Sequence, residues 1–75
     1  MKEFEVVCTY LNGCAGEAYP NISFEEVEAK DPMDYIRHKH PVDYDRFTRD
    51  DISETQTVLR FDNGCIRYIY EFNEL

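Results

Sequence analysis

Most of what this chain can fold into is decided by the stretch Thr55-Gln-Thr-Val-Leu-Arg-Phe-Asp-Asn-Gly-Cys-Ile-Arg-Tyr-Ile-Tyr-Glu-Phe72, where two β-rich runs flank Asn63-Gly64. That dipeptide between alternating apolar runs is a strong short-range hairpin signal. With Asn63-Gly64 as a two-residue turn, Phe61 is expected opposite Ile66, Leu59 opposite Tyr68, Thr57 opposite Tyr70 and Thr55 opposite Phe72. One face of the hairpin then carries Leu59, Phe61, Ile66, Tyr68, Tyr70 and Phe72 and becomes the floor of a core. The other face pairs Arg60 with Arg67, Val58 with Ile69 and Gln56 with Glu71. A slip by one residue would turn the apolar set to solvent, so the pattern opposes it. The Arg60–Arg67 pair disfavours the hairpin slightly unless a carboxylate such as Asp62 lies between them.

The preceding segments add three elements. Residues 3–11 alternate, with Phe4, Val6, Cys8 and Tyr10 on one face, as a half-buried strand does. Residues 12–21 hold two Gly, one Pro and two Asn and read as a loop. A second strand is expected over 22–29; Ile22 and Phe24 share one phase, Val27 and Ala29 the other, which predicts a bulge or bend at Glu25-Glu26. Asp31-Pro32 opens a helix, with Asp31 as its cap and Asp34 at the positive end of its dipole. The helix ends near His40, because Pro41 disfavours a helical residue before it. Met33, Ile36 and His40 form its inward stripe. Residues 42–53 lack a clean period and read as a structured loop with a helical turn, pinned by Phe47.

The order is β-β-α-β-β. The expected architecture is α+β: one domain over residues 1–75, with a four-stranded antiparallel sheet and one short helix packed on a face. The second sheet face is left partly bare, as antiparallel sheets allow. Five Phe and six Tyr against three Leu mean that aromatic rings fill the core. Tyr19, Tyr35 and Tyr44 are the tyrosines expected to remain partly exposed, and Val58 and Ile69 point to a further apolar spot on the bare face.

Charge narrows the function classes. Sixteen acids against eight bases give a net charge of −8, which opposes direct binding of nucleic acid or of an anionic membrane. A basic protein surface is the natural partner of such a field. The acids concentrate in two places. Glu3 and Glu5 on the first strand join Glu25, Glu26 and Glu28 on the second in a carboxylate ridge, and Asp43, Asp45, Asp50, Asp51 and Glu54 form a second cluster. Carboxylates spaced like phosphates can occupy a groove built for a nucleic-acid backbone.

Other chemistry is poorly supported. His38-x-His40 places its two rings on different helix faces, and no zinc or calcium spacing accompanies it. Cys65 has no base placed near it by the sequence, which argues against nucleophilic catalysis. Three cysteines without a signal segment read as reduced thiols in the cytoplasm. An oxidising setting would admit a Cys8–Cys14 or Cys8–Cys65 bond.

No motif matches a known family. In size, charge and aromatic content the chain is similar to small phage-encoded inhibitors of host defence of the anti-CRISPR type. That likeness of class implies an inhibitor that covers a basic surface of a nucleic-acid-handling protein, sterically or by phosphate mimicry; with no catalytic, cofactor or metal motif among the residues, no enzyme activity, cofactor or metal is expected. The expected partner-binding residues are Glu25, Glu26, Glu28, Asp43, Asp45, Asp50 and Asp51, with Tyr19 and Tyr44 as aromatic anchors. The alternative is a structural or regulatory homodimer joined through an edge strand or the bare sheet face.

Overall fold

A computed structural model of the chain describes residues 1–15 and 19–75. It contains strands β1 (Lys2–Asn12), β2 (Asn21–Ala29), β3 (Thr48–Asp51), β4 (Gln56–Asp62) and β5 (Ile66–Glu74), with helix α1 (Pro32–Lys39) between β2 and β3. The strands form one antiparallel sheet in the order β2-β1-β5-β4-β3. The antiparallel sheet with one short helix matches the sequence expectation, but the sheet has five strands and not four.

The fifth strand, β3, lies inside the segment expected to be a loop. Its sequence, Thr-Arg-Asp-Asp, is exposed throughout and has no apolar alternation to reveal it. Backbone pairing to β4 and charge hold it instead: Asp50 Oδ2 lies 3.5 Å from Arg60 Nη1, and Thr57 Oγ1 donates to Asp51 Oδ1 at 3.0 Å. The helical turn (Tyr44–Arg46) and the buried Phe47 just before it agree with the sequence reading.

The hairpin forms with its faces as expected and its register shifted by two residues. Phe61 faces Tyr68, Leu59 faces Tyr70 and Thr57 faces Phe72. A two-residue shift keeps every side chain on its own face, so face patterning is blind to it. Turn chemistry decides the register. Asp62 Oδ1 accepts from Gly64 N at 2.8 Å, and Asn63 Oδ1 accepts from Cys65 N and Ile66 N at 3.0 and 2.8 Å. Gly64 takes φ 91°, a conformation open chiefly to glycine. The longer turn sets Arg67 opposite Asp62, with Nε 3.1 Å from Oδ2, and Arg60 opposite Ile69. The expected Arg60–Arg67 repulsion is replaced by two ion pairs.

No bulge interrupts β2. Its register against β1 runs unbroken from Lys2↔Ala29 to Tyr10↔Asn21. The two apolar phases therefore sit on opposite faces. Val27 and Ala29 face the helix, while Ile22 and Phe24 are left in solvent.

Helix α1 forms as its sequence dictates. Asp31 caps it by accepting from Met33 N at 3.0 Å, and Pro32 occupies the first turn. Ile36 is completely buried against a core built from Phe4, Val6, Phe47, Leu59, Tyr70 and Phe72. Central strand β5 supplies Tyr70 and Phe72, and Phe72 meets Phe4 edge-on with ring centroids 5.8 Å apart.

A disulfide joins Cys14 to Cys65, with Cα atoms 5.0 Å apart, and leaves Cys8 free. This corrects the reading of three reduced thiols, and both pairings entertained through Cys8. Cys8 sits mid-strand on the helix face, far along β1 from the loop, whereas Gly13 N donates to Cys65 O at 2.8 Å and brings the loop after β1 against the β4–β5 turn. Such a bond persists in an oxidising environment. Among the described residues no helix is long and apolar enough to cross a membrane.

Candidate interaction surface on the open sheet face

The strand registers place the side chains of the helix-free face in rows. Ile22, Thr9, Ile69, Arg60 and Thr48 make one row, and Phe24, Val7, Glu71, Val58 and Asp50 the next. Beyond them Glu26 lies opposite Glu5 and Glu28 opposite Glu3. Four carboxylates thus meet in two cross-strand pairs, and among the described residues no ion pair reaches any of them. Like charges directly opposite each other disfavour a sheet.

Beside this quartet stands an apolar corner. Phe24 is 72% exposed and Ile22 57% exposed, on the outermost strand. Val58 and Ile69, expected to provide the apolar spot, do not. Val58 is buried, between the Gln56–Glu71 hydrogen bond of 2.9 Å and the Arg60–Asp50 pair, and Ile69 is half-buried.

The acids singled out from sequence divide among several places. Glu26 and Glu28 belong to the quartet with Glu3 and Glu5. Glu25 falls on the helix face, where Tyr35 donates its hydroxyl to Glu25 Oε2 at 2.8 Å; burial pushes that phenol well above its usual range, followed by the nearby carboxylate. Asp50 faces the open side in contact with Arg60, while Asp51 faces the helix side and meets Arg49 Nε at 3.1 Å. Asp45 belongs to the 3-10 turn and Asp43 immediately precedes it, with Asp43 Oδ1 4.0 Å from Arg46 Nη1. The second acidic cluster is therefore split between faces and largely neutralised by arginines. Tyr19 is 83% exposed in the loop before β2. Tyr44 is half-buried, with the Arg37 guanidinium 5.2 Å from its ring centroid.

The two histidines separate as well. His38 is exposed, while His40 packs edge-on against Tyr68 and Tyr70 and shares a 2.8 Å hydrogen bond with the Tyr70 hydroxyl. Burial disfavours the imidazolium and lowers the His40 pKa, against the pull of Asp43. Among the described residues no group of three His, Cys, Asp or Glu side chains lies close enough to hold a metal ion.

Two features of this surface escaped sequence reasoning. The first is the exposure of Ile22 and Phe24, signalled only by their phase opposite to Val27 and Ala29. The second lies on the helix side: a cleft of about 410 Å³ at the Ala29 end of β2, lined by Met1, Ala29 and Lys30 and by Tyr35, His38 and Lys39 of α1. No family model, curated protein or solved structure matches the chain.

Proposed function

We propose that the chain is a small acidic protein-binding module that docks on a basic surface of another protein, in the manner of an anti-CRISPR-type inhibitor of a nucleic-acid-handling protein. The observation that carries this reading is the uncompensated quartet Glu3, Glu5, Glu26 and Glu28 beside exposed Phe24 and Ile22. Among the described residues every other acid on the open face lies beside a cation or a hydrogen-bond donor: Asp50 with Arg60, Asp62 with Arg67 and Glu71 with Gln56. Among the described residues no cation neutralises the quartet, which leaves it open to a basic partner. Carboxylates two residues apart on a strand stand about 7 Å apart, comparable to successive phosphates of a nucleic-acid strand. Lysines and arginines that normally meet phosphates would find acceptors here, and Phe24 would anchor the rim of the contact.

The test is affinity capture with the intact chain at low and high salt, beside the double variant Glu26→Lys/Glu28→Lys. The variant cancels the quartet's charge and sets each new lysine opposite a glutamate, so the fold is retained. A partner captured by the parent in a salt-sensitive way and lost by the variant supports the module. Capture unchanged by the variant leaves the quartet a solvated face. The second reading, a homodimer through an edge strand, draws on the same unpaired β2 and is recognised by a salt-insensitive doubling of mass.

A further inference from the structure

β2 is an edge strand, paired with β1 on one side only. Its nine residues keep an unbroken register, with no bulge, no proline and no lysine or arginine among them. Bulges, prolines and lysines are among the devices that blunt a sheet edge; β2 lacks these, and the charge it does carry, in Glu25, Glu26 and Glu28, is of one sign, which deters an acidic strand and leaves the regular edge a template for a basic one. The opposite edge, β3, has four residues, and its charged side chains Arg49, Asp50 and Asp51 all have partners.

We propose that the free edge of β2 takes up an extended segment of a partner protein as a sixth strand, with Lys or Arg at alternate positions of that segment. This rests on the protein-binding reading and names the partner's chemistry. An added strand sends alternate side chains to the two faces of the sheet. On the open face they meet Ile22, Phe24, Glu26 and Glu28 in turn. The segment is therefore apolar at one end and basic at the other, at every second residue. Its remaining side chains point to the helix side, where the cleft at the Ala29 end of β2 has room for the last of them against Tyr35 and His38. A second copy of this chain fits poorly: its own β2 brings Glu25, Glu26 and Glu28 with no base, on a chain of net charge −8. A nucleic acid is opposed by the same charge.

The probe is a synthetic nine-residue peptide alternating threonine with two valines and then two lysines, made in both sequence orders to allow parallel or antiparallel addition. It is titrated to millimolar concentration against the isotope-labelled full chain and followed by amide NMR. One order is expected to bind, with shifts confined to β2, α1 and their flanks. N-methylation of one alternate set of peptide amides removes the ladder donors and is expected to weaken binding at least about tenfold. N-methylation of the other set is expected to change it by less than about threefold. Replacing the lysines by glutamates is expected to abolish binding. Strand addition is overturned if neither order binds, if both N-methylated sets behave alike, or if the shifts map to β3. It is also overturned if the free chain runs at about 18 kDa, twice its 9.0 kDa, with β2 at the contact. If the peptide fails while Glu26→Lys/Glu28→Lys still abolishes capture of a partner, the module stands and only strand addition falls. If capture too survives the exchange, both fall.

Discussion

The two edges of the sheet solve one problem in opposite ways. Each exposes a row of unpaired backbone groups, which invites another chain. β3 is short, and its charges are consumed within the molecule: Arg49 reaches Asp31 through two hydrogen bonds of 2.9 and 3.2 Å and Asp51 through a third, while Asp50 meets Arg60. Those contacts tie the edge to the helix cap, since Asp31 also accepts from Met33 N. The Arg49 bonds, followed by the cap, hold the Asp31 carboxyl below the usual carboxylate range. β2 is long and regular, and its open-face acids face other acids. One edge pairs its charges within the fold, and the other sets like charges opposite each other, which disfavours the sheet slightly. The contrast separates an edge whose charges are paired within the fold from one whose open-face acids are not, and the proposed partner would use the second.

The comparison presupposes a rigid sheet between the edges, and the largest effects test that. Phe72 is completely buried on central strand β5. Phe72→Ala is expected to cost about 3–5 kcal/mol, read by urea unfolding, and to loosen both edges together. Reducing the Cys14–Cys65 bond, which spans 51 residues of sequence, is expected to cost about 2–4 kcal/mol, read by the melting temperature with and without reductant.

The edges themselves are expected to answer charge changes with opposite signs. Asp31→Ala removes the helix cap and the partner of Arg49; discounted for its exposure, the loss is about 1–2 kcal/mol. The same contribution is present above about pH 3.9, the unfolded aspartate value, and is lost as pH falls through the lower folded value, so the parent loses more stability on acidification than the variant. On β2, Glu26→Lys places a cation opposite Glu5 and is expected to raise stability by a few tenths of a kcal/mol while it weakens partner binding. A loss of stability at position 26 would erase the distinction between the edges.

The smallest effect concerns neither edge. His40 has a folded pKa below its ordinary 6.5, because burial disfavours the charged ring. The unfolded chain then binds the proton first as pH falls below 6.5, so stability declines from there and levels off below the folded value. Thermal melts between pH 5 and 7.5 are expected to show this step in the parent and not in His40→Gln.

The sequence made some of this plain and left the rest hidden for identifiable reasons. Helix α1 was legible because its cap, its proline and its buried Ile36 all point the same way. The apolar face of the hairpin was legible because alternation marks it, whereas the register was not, since an even shift leaves alternation unchanged. β3 was hidden because hydrogen bonds and ion pairs form it, with no apolar pattern. The pairing of Cys14 with Cys65 depends on two turns meeting in space, which spacing along the chain does not encode. For the candidate site, Glu26 and Glu28 stand in the ridge expected of them, but Glu25 turned to the helix face once the expected bulge proved absent. Asp43, Asp45, Asp50 and Asp51 do not gather as one surface, because two successive residues of a strand face opposite ways and the other two lie just before and within a 3-10 turn.

The central claim is that β2 is the open edge and β3 the closed one. Amide hydrogen exchange of the chain, free and bound to a partner captured in the salt-sensitive way, tests it most directly. The account predicts that alternate amides of β2 gain protection on binding while those of β3 do not change. Protection gained at β3, with β2 left as it was, would contradict it.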